Sequence, residues 1–226
     1  MAEKLPIAVL ISGTGRTLKN LLDRIEAGSL DVEVRLVVSS SERALGLQYA
    51  EQNNIPIAIV KSSDFIGKDD DDSTKKFSAA VFDACRKANV KFVAMAGYLK
   101  LLEIPADFED KVLNIHPSLL PKFGGKGFYG RHVHHAALMA KETISGATVH
   151  FVNNKFDDGP IILQKTVEVC PNDTIETLSD RVLEKAEFEA YPEALQAIAE
   201  NRVEVVTIDG KRCATIDGKR VQIIQD

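Results

Sequence analysis

Short apolar runs alternate with amphipathic segments over the first hundred residues. The apolar run at 5–11 is continuous and has the length of a buried parallel strand, and further strands are predicted at 32–39, 57–60 and 92–96. Apolar residues recur at helical spacing between them, which predicts helices at 18–25 (closed by Gly28), 42–52 and 73–88. Strands that alternate with helices predict an α/β fold with a doubly wound, mostly parallel sheet and right-handed crossovers.

The rhythm of the pattern changes in the second half of the chain. A short buried strand is predicted at 112–115, and it should end near His116 because Pro117 cannot continue a central ladder. The pattern then predicts a helix, two β-rich runs and a long helical stretch, at 131–141, 147–152, 161–169 and 174–201. We expect Pro192 to kink or divide the last stretch.

The last residues contain an internal repeat. Thr-Ile-Asp-Gly-Lys-Arg occurs at 207–212 and again at 215–220. Asp-Gly between alternating runs is a strong hairpin signal, so each copy predicts a tight turn. The sequence therefore predicts one domain over 1–201 and a C-terminal β-hairpin or meander extension, 202–226, packed on the same domain.

A glycine-rich turn joins the first predicted strand to the first helix. Its residues are Ser12, Gly13, Thr14, Gly15, Arg16 and Thr17. Backbone N–H groups and the helix dipole make such a turn suitable for binding an anion. The third glycine of the dinucleotide fingerprint and the Gly-Lys-Ser/Thr of a Walker loop are both missing. The turn therefore predicts a cradle for one phosphate monoester, and a tight turn without a ligand is the alternative.

An amide, an imidazole and a carboxylate form the candidate catalytic set. Asn114 and His116 lie two residues apart at a predicted strand end, so their side chains share one face. The stretch 150–160 adds Asp157 or Asp158, and the spacing does not decide between them. An amide N–H can hold a developing oxyanion, a histidine can move a proton, and an aspartate can orient the histidine. Together they predict acyl transfer.

Composition excludes several other classes of protein. The length of 226 residues suits one large domain or one and a half, and the net charge of −5 argues against binding of nucleic acid. No apolar run approaches the roughly 20 residues that span a bilayer, so no membrane partner is expected. The three cysteines are widely spaced and the start has no signal-peptide shape, which favours a reducing, cytoplasmic setting.

The remaining histidines predict structure rather than chemistry. His132, His134 and His135 cluster on a predicted helix, but they lack the matching ligands of a zinc site. We therefore expect a helix on the surface or at the rim of the active site, and no metal. His150 lies in an apolar run and is interpreted as a satisfied sheet residue.

Four stretches resemble the phosphoribosylglycinamide formyltransferase family, the folate-dependent enzymes of purine synthesis. They are Ile-Ala-Val-Leu-Ile-Ser-Gly-Thr-Gly-Arg-Thr-Leu, Ala-Gly-Tyr-Leu-Lys-Leu-Leu, Asn-Ile-His-Pro-Ser-Leu-Leu-Pro, and Val-His-Phe-Val with Asp-Asp-Gly-Pro-Ile-Ile-Leu-Gln. They follow the order of the family and fall within 5–200. The resemblance implies a Rossmann-like formyltransferase domain with 10-formyltetrahydrofolate as co-substrate and no metal.

The resemblance also implies roles for individual residues. Asn114 and His116 are catalytic, and Asp157 is the acid that supports the histidine. The residues implied for the ribonucleotide are those of the glycine-rich turn, above all Gly15, Arg16 and Thr17 for its phosphate, with Glu187. The residues implied for the folate are Leu99, Lys100, Leu101, Leu102 and Asn114. A family arginine that meets the folate falls near Thr74, so the contact with the folate tail is open.

The implied reaction is attack of the amine of glycinamide ribonucleotide on the formyl carbon. Asn114 and a His116 kept protonated by Asp157 would hold the oxyanion, in a monomer or homodimer. One alternative is a formyltetrahydrofolate deformylase-type hydrolase, disfavoured because the chain begins at its first strand. A methionyl-tRNA formyltransferase is disfavoured by the short tail and the net charge. A non-catalytic nucleotide-binding module would not need Asn114, His116 and Asp157 together.

Overall fold

A computed structural model describes residues 4–65 and 72–224. The chain divides into two compact units, Met1–Leu113 and Asn114–Asp226. The strands are β1 (Leu5–Ile11), β2 (Val32–Ser39), β3 (Ile57–Ile59), β4 (Phe92–Met95), β5 (Val112–His116), β6 (Ile144–Phe151), β7 (Ile161–Glu168), β8 (Val203–Ile208), β9 (Lys211–Ile216) and β10 (Lys219–Arg220). The α-helices are α1 (Arg16–Glu26), α2 (Leu47–Gln52), α3 (Ser73–Lys87), α4 (Arg131–Met139), α5 (Ile175–Val182) and α6 (Phe188–Ala199).

The larger sheet has the strand order β3-β2-β1-β4-β5-β6-β7. β1 pairs in parallel with β2 and with β4, and β2 pairs in parallel with β3, whereas β6 and β7 are antiparallel. The smaller sheet has the order β10-β9-β8 with antiparallel neighbours. The predicted α/β class, with a mostly parallel sheet and a C-terminal meander, is therefore confirmed.

In the first unit, β1 carries the glycine-rich turn at its carboxyl end. Ile7–Ile11 are wholly buried, as expected of a parallel strand covered on both faces. α1 follows at once and buries Leu18 and Leu21. The turn is therefore held between two rigid elements.

The helix predicted at 42–52 begins only at Leu47. The residues before it form turns whose backbone lies against the glycine-rich turn: the N–H of Gly46 donates to the carbonyl oxygen of Gly13 (3.0 Å). A Cβ built on Gly46 would lie 2.8 Å from the Cα of Gly15. This close backbone contact replaces the first turn of the expected helix.

α3 confirms the helix predicted at 73–88, but its buried face differs from the face that the spacing of apolar residues predicts. Phe77 and Val81 are buried as expected, together with Ser78, Phe82 and Cys85, whereas the alanines at 80 and 84 are half-buried. The Ser78 hydroxyl donates to the Thr74 carbonyl (2.7 Å) and accepts from the Glu103 N–H (2.9 Å). A count of apolar residues does not register a buried serine of this kind.

In the second unit, the long helical stretch divides upstream of the expected position. α5 and α6 are separated by a π-helical turn, Leu183–Glu187, and α6 continues through Pro192. Pro192 has no N–H to donate to the carbonyl of Phe188, so the ladder is weakened just after the π turn. The prediction of a division is confirmed, and its position at Pro192 is wrong.

The C-terminal sheet forms at the two Asp-Gly turns. Asp209, Gly210, Asp217 and Gly218 have φ values of 51°, 75°, 53° and 73°, the positive values that tight hairpin turns require. The N–H of Ile224 donates to Gln164 Oε1 (2.8 Å), which ties the end of the meander to β7. The predicted domain boundary at residue 201 stays a prediction.

Candidate active site

The glycine-rich turn is fixed through its oxygen atoms. Ser12 Oγ accepts a hydrogen bond from the N–H of Leu99 (3.2 Å) and lies 2.8 Å from Ser40 Oγ. Gly15 is the N-cap of α1 with a left-handed φ of 72°. Gly15 and Thr17 are buried, whereas Gly13, Thr14 and Arg16 are exposed. The exposed residues of the turn are therefore the ones open to an incoming anion.

Asp157 joins His116 in the second unit. His116, at the end of β5, is 4% exposed, and its Nδ1 lies 3.6 Å from Asp157 Oδ2. The same carboxylate oxygen accepts a hydrogen bond from the N–H of Gly125 (2.8 Å). Asp158 is exposed and lies 3.7 Å from the ammonium of Lys155. The structure therefore selects Asp157 from the two adjacent acids.

The turn between β6 and β7 aims Asp157 at the histidine. Asp157 has a positive φ of 52°, and the turn is closed by the Phe151 N–H, which donates to the carbonyl oxygen of Pro160 (2.9 Å). A Cβ on Gly159 would fall on the carbonyl oxygen of Phe151. The glycine after the two acids is therefore required by the backbone.

His150 belongs to this site, which the sequence interpretation missed. His150 is 1% exposed on β6, and its Nδ1 lies 2.8 Å from the carbonyl oxygen of Phe151. A carbonyl only accepts, so Nδ1 carries the proton of the neutral ring and Nε2 can accept from Asn114 Nδ2 at 3.3 Å. Nε2 also lies 3.6 Å from Asp157 Oδ1. Histidine 150 is thus a satisfied sheet residue, as expected, that also orients the Asn114 amide.

The expected rise in the pKa of His116 is wrong for the free protein. Burial lowers the pKa of His116 below its ordinary value, and the opposing effects of Asp157 and the Phe123 carbonyl do not fully offset it. Nε2 donates to the carbonyl oxygen of Phe123 (2.8 Å), so Nδ1 of the neutral ring presents a lone pair to Asp157. Proton uptake would let both ring nitrogens donate to acceptors already in place.

Asp157 stays ionised in this setting. Burial acts to raise the pKa of its carboxyl, but His150, His116 and the Gly125 N–H together lower the pKa below its ordinary value. The site therefore holds a fixed negative charge beside a histidine that is neutral near pH 7. The Asp157 carboxylate can therefore stabilise the imidazolium that forms when His116 takes up a proton during a reaction.

The histidines of α4 do not all lie on a surface. His134 is 2% exposed, and burial together with neighbouring His116 lowers its pKa to about 4, whereas His132 and His135 are exposed. Among the described residues, no group of three His, Cys, Asp or Glu side chains is arranged to hold a metal ion.

In residues 4–65 and 72–224, no helix has both the length and the apolar composition to cross a bilayer.

The residues implied for the folate and the ribose lie in both units. Leu99 and Leu101 are 63% and 44% exposed, which gives the loop after β4 an apolar surface, whereas Leu102 is buried. Thr74 is exposed in the first turn of α3. In the second unit, Glu187 is half-buried in the π-helical turn, a conformation frequent at functional sites.

Most of this chain matches a known protein family. A family model described as formyl transferase matches residues 5–195. The chain belongs to the formyl transferase family. The family match includes the glycine-rich turn, β5 and the Asp157 turn. The resemblance to a formyltransferase family that the sequence pattern implied is therefore confirmed.

The relatives and solved structures that resemble this chain differ in activity. The chloroplastic phosphoribosylglycinamide formyltransferase of Vigna unguiculata is 40% identical over 200 residues, which are 87% of this chain and 62% of the relative. The glycinamide ribonucleotide transformylase 1 structure from Symbiobacterium toebii has a TM-score of 0.84 at 34% identity and covers 96% of this chain and 95% of that one. A formyltetrahydrofolate deformylase structure from Pseudomonas syringae has a TM-score of 0.78 at 27% identity and covers 95% and 66%. The chain thus spans less than two thirds of the plant relative's length.

Proposed function

We propose that this protein transfers the formyl group of 10-formyltetrahydrofolate to the amine of N1-(5-phospho-D-ribosyl)glycinamide, glycinamide ribonucleotide, in de novo purine (IMP) biosynthesis. The cluster of Asn114, His116 and Asp157 carries the proposal, because it combines an amide donor, a proton acceptor and a fixed charge. Membership of the formyl transferase family supports it. The reaction needs no metal, because a neutral amine is already a competent nucleophile.

Asn114 stabilises the oxyanion in this mechanism. The amine attacks the formyl carbon, a nitrogen–carbon bond forms, and the carbonyl oxygen becomes an oxyanion. The Asn114 amide has two N–H donors, and His150 Nε2 can accept from one of them. The second N–H is then oriented for the oxyanion, so little reorganisation is needed as charge develops.

His116 moves the proton. Neutral His116 takes a proton from the attacking amine, and the imidazolium that forms is stabilised by Asp157. The bond between the former formyl carbon and the folate nitrogen then breaks, and that nitrogen receives the proton. The carbonyl re-forms on the product. In the free protein Nε2 carries the ring proton and donates it to the Phe123 carbonyl. For Nε2 to act as the base, substrate must replace that carbonyl, and the ring proton must lie on Nδ1 instead, where Asp157 accepts it.

The binding residues are part of the same proposal. Gly13, Thr14 and Arg16 contact the phosphate, and Ser12, Gly15 and Thr17 shape the turn. Glu187 contacts the ribose. The folate is contacted by Leu99–Leu102, Asn114 and Thr74.

We propose a monomer or homodimer in the cytoplasm, since Cys85, Cys170 and Cys213 are free thiols that suit a reducing compartment.

A formyl-transfer assay with purified protein tests the function. Release of tetrahydrofolate is followed by absorbance with and without glycinamide ribonucleotide, and formyl on the ribonucleotide is detected by mass. We expect release that depends on the ribonucleotide. Release at the same rate without it, with formate as product, would identify the deformylase-type hydrolase instead. The Arg16→Ala variant should mainly raise KM for the ribonucleotide.

A further inference from the structure

A buried side-chain amide on β7 joins three parts of the second unit. Gln164 is 9% exposed, and its Nε2 donates to the carbonyl oxygen of Leu120 (3.0 Å) and to Thr148 Oγ1 (2.9 Å). Its Oε1 accepts a hydrogen bond from the N–H of Ile224 (2.8 Å). A reversed amide would place its two donors against that N–H, so the three partners together fix its orientation. The proposed reaction gives this residue no role.

Gln164 and Thr148 together hold the backbone of Leu120. The Thr148 hydroxyl is fully buried; it accepts from the Leu120 N–H (3.0 Å) and donates to the carbonyl oxygen of Ser118 (2.6 Å). Side chains from β6 and β7 therefore bind both polar backbone groups of Leu120, which is itself buried. Loss of Gln164 would take this donor from a buried carbonyl, a change to which the backbone should respond by shifting.

The turn that Leu120 belongs to carries the acceptor for His116. Three residues after Leu120, the carbonyl oxygen of Phe123 accepts from His116 Nε2 (2.8 Å). The Ser118 hydroxyl donates to the carbonyl oxygen of Lys122 (2.6 Å), which closes the turn between them. A shift of Leu120 should therefore move the acceptor away from His116 Nε2.

The last described residues of the chain, 221–224, form a C-terminal segment that reaches the same turn. Ile224 lines a cavity of about 260 Å³ together with Leu119, Pro121 and Phe123. Open space lies beside Phe123 on this side, so packing does not hold the turn there. The hydrogen bond from the Ile224 N–H to Gln164 is therefore a direct link between the C-terminal segment and the turn.

We propose that Gln164 is a positioning residue for His116, and that it couples the C-terminal segment to the acceptor that holds the ring proton of His116 on Nε2. The catalytic meaning of this inference rests on the proposed function. In the free protein the Phe123 carbonyl holds the proton on Nε2, whereas a base at Nε2 needs the proton on Nδ1, facing Asp157. The turn held by Gln164 therefore sets how much of the histidine is ready to act.

NMR of the imidazole nitrogens of His116 in the full-length protein tests the positioning role. Gln164→Met keeps the length of the side chain and removes its hydrogen bonds. The ratio of the Nδ1–H to the Nε2–H tautomer should rise on the order of 5-fold, as loss of one hydrogen bond allows. The titration midpoint of His116 should also fall, because the hydrogen bond to the Phe123 carbonyl raises its pKa. The other titratable groups that act on His116 are unchanged in this variant, namely Asp157, His150 and His134.

The matched control is Gln222→Met, which makes the same chemical change at an exposed position of the C-terminal segment. We expect the tautomer ratio and the midpoint of His116 to stay as in the unmodified protein. An unchanged ratio and midpoint in Gln164→Met, or equal changes in the two variants, would overturn the proposal.

A proline at residue 224 tests the link to the C-terminal segment separately. Ile224→Pro removes the N–H that binds Gln164 Oε1 and leaves the amide in place, so it remains a test if Gln164→Met does not fold. It should change the tautomer ratio and midpoint of His116 in the same direction as Gln164→Met. Ile223→Pro keeps the Ile224 N–H and should leave both unchanged. Equal behaviour of the two proline variants would overturn the coupling.

Steady-state kinetics separate this inference from the proposed function. The acid limb of kcat/KM reports the pKa of the base in the free enzyme, so in Gln164→Met it should move to lower pH together with the NMR midpoint. A merely structural role would lower the rate without moving this limb. Formyl transfer by the unmodified protein, with His116 unaltered in Gln164→Met, would leave the proposed function intact and remove the positioning role. Absence of transfer, with His116 altered in Gln164→Met and not in Gln222→Met, would do the reverse.

Discussion

One carboxylate, that of Asp157, faces two buried histidines. Its Oδ2 lies 3.6 Å from His116 and its Oδ1 lies 3.6 Å from His150, which in turn contacts Asn114. Asp157, His116, His150 and Asn114 therefore form one polar network, in which the loss of one member affects the others. Neutralising Asp157 should therefore disturb proton transfer and the orientation of the amide at the same time.

The Asp157→Asn substitution should lower kcat by on the order of 10²-fold or more, as loss of general acid–base and oxyanion groups does. The matched control is Asp158→Asn, since Asp158 is exposed beside Lys155. We expect near-normal turnover in the control, measured by steady-state formyl transfer. Similar losses in both variants would contradict the choice of Asp157. His116→Ala should lose as much as Asp157→Asn.

His116 should titrate below the ordinary value of 6.5 for histidine, because burial disfavours its charged form. Titration of its ring resonances by NMR measures this directly. In the Asp157→Asn variant the midpoint should move lower still, because the carboxylate favours the imidazolium. A midpoint above 6.5 in the unmodified protein would show that the charge pair outweighs burial. A rise on loss of the carboxylate would show that Asp157 does not favour the imidazolium.

At the scale of elements, the strand–turn–helix unit of β1 and α1 depends on two glycines for different reasons. Gly15 has a φ of 72°, and a Cβ there would lie 2.5 Å from the Cα of Gly46. Nothing lies within 4 Å of a Cβ built on Gly13. Gly15 is therefore required by the fold, whereas Gly13 leaves open space where the phosphate is proposed to bind.

Gly15→Ala should destabilise the protein by about 1–2 kcal/mol from the left-handed backbone alone, with a further cost from the backbone contact. Gly13→Ala should unfold like the unmodified protein but raise KM for glycinamide ribonucleotide. Urea denaturation and steady-state kinetics separate the two effects. Equal losses of stability would refute the distinction between the two positions.

At the scale of the whole molecule, buried neutral histidines link stability to pH. His134 has a pKa of about 4 in the folded protein and an ordinary value of 6.5 when exposed. Between these values the unfolded chain binds a proton that the folded protein does not. The free energy of unfolding therefore falls as the pH falls through this window.

The contribution of His134 to this loss should be about 3 kcal/mol between pH 7 and pH 4. Urea denaturation at several pH values measures it as the difference from His134→Gln, which should show a flatter dependence on pH. His132→Gln is the control, because His132 is exposed on the same helix. A His134→Gln variant with an unchanged pH dependence would show that the imidazole has the same pKa in the folded and unfolded states.

The sequence by itself determined the features that depend on near neighbours in the chain. Alternating apolar runs predict the α/β sheet, two Asp-Gly turns predict the meander, and the spacing of Asn114 and His116 puts them on one face of a strand. These follow from the periods of strands and helices and from the backbone angles of glycine and proline. They need no knowledge of what packs against them.

Tertiary structure decided the rest, because burial and long-range contacts set it. Asp157 is selected over Asp158 by a turn that aims it at His116, and His150 joins Asn114 across 36 residues of chain. The pKa of His116 falls instead of rising because its burial outweighs the carboxylate beside it. Solvent exclusion depends on the whole packed unit, so no local pattern in the sequence contains it.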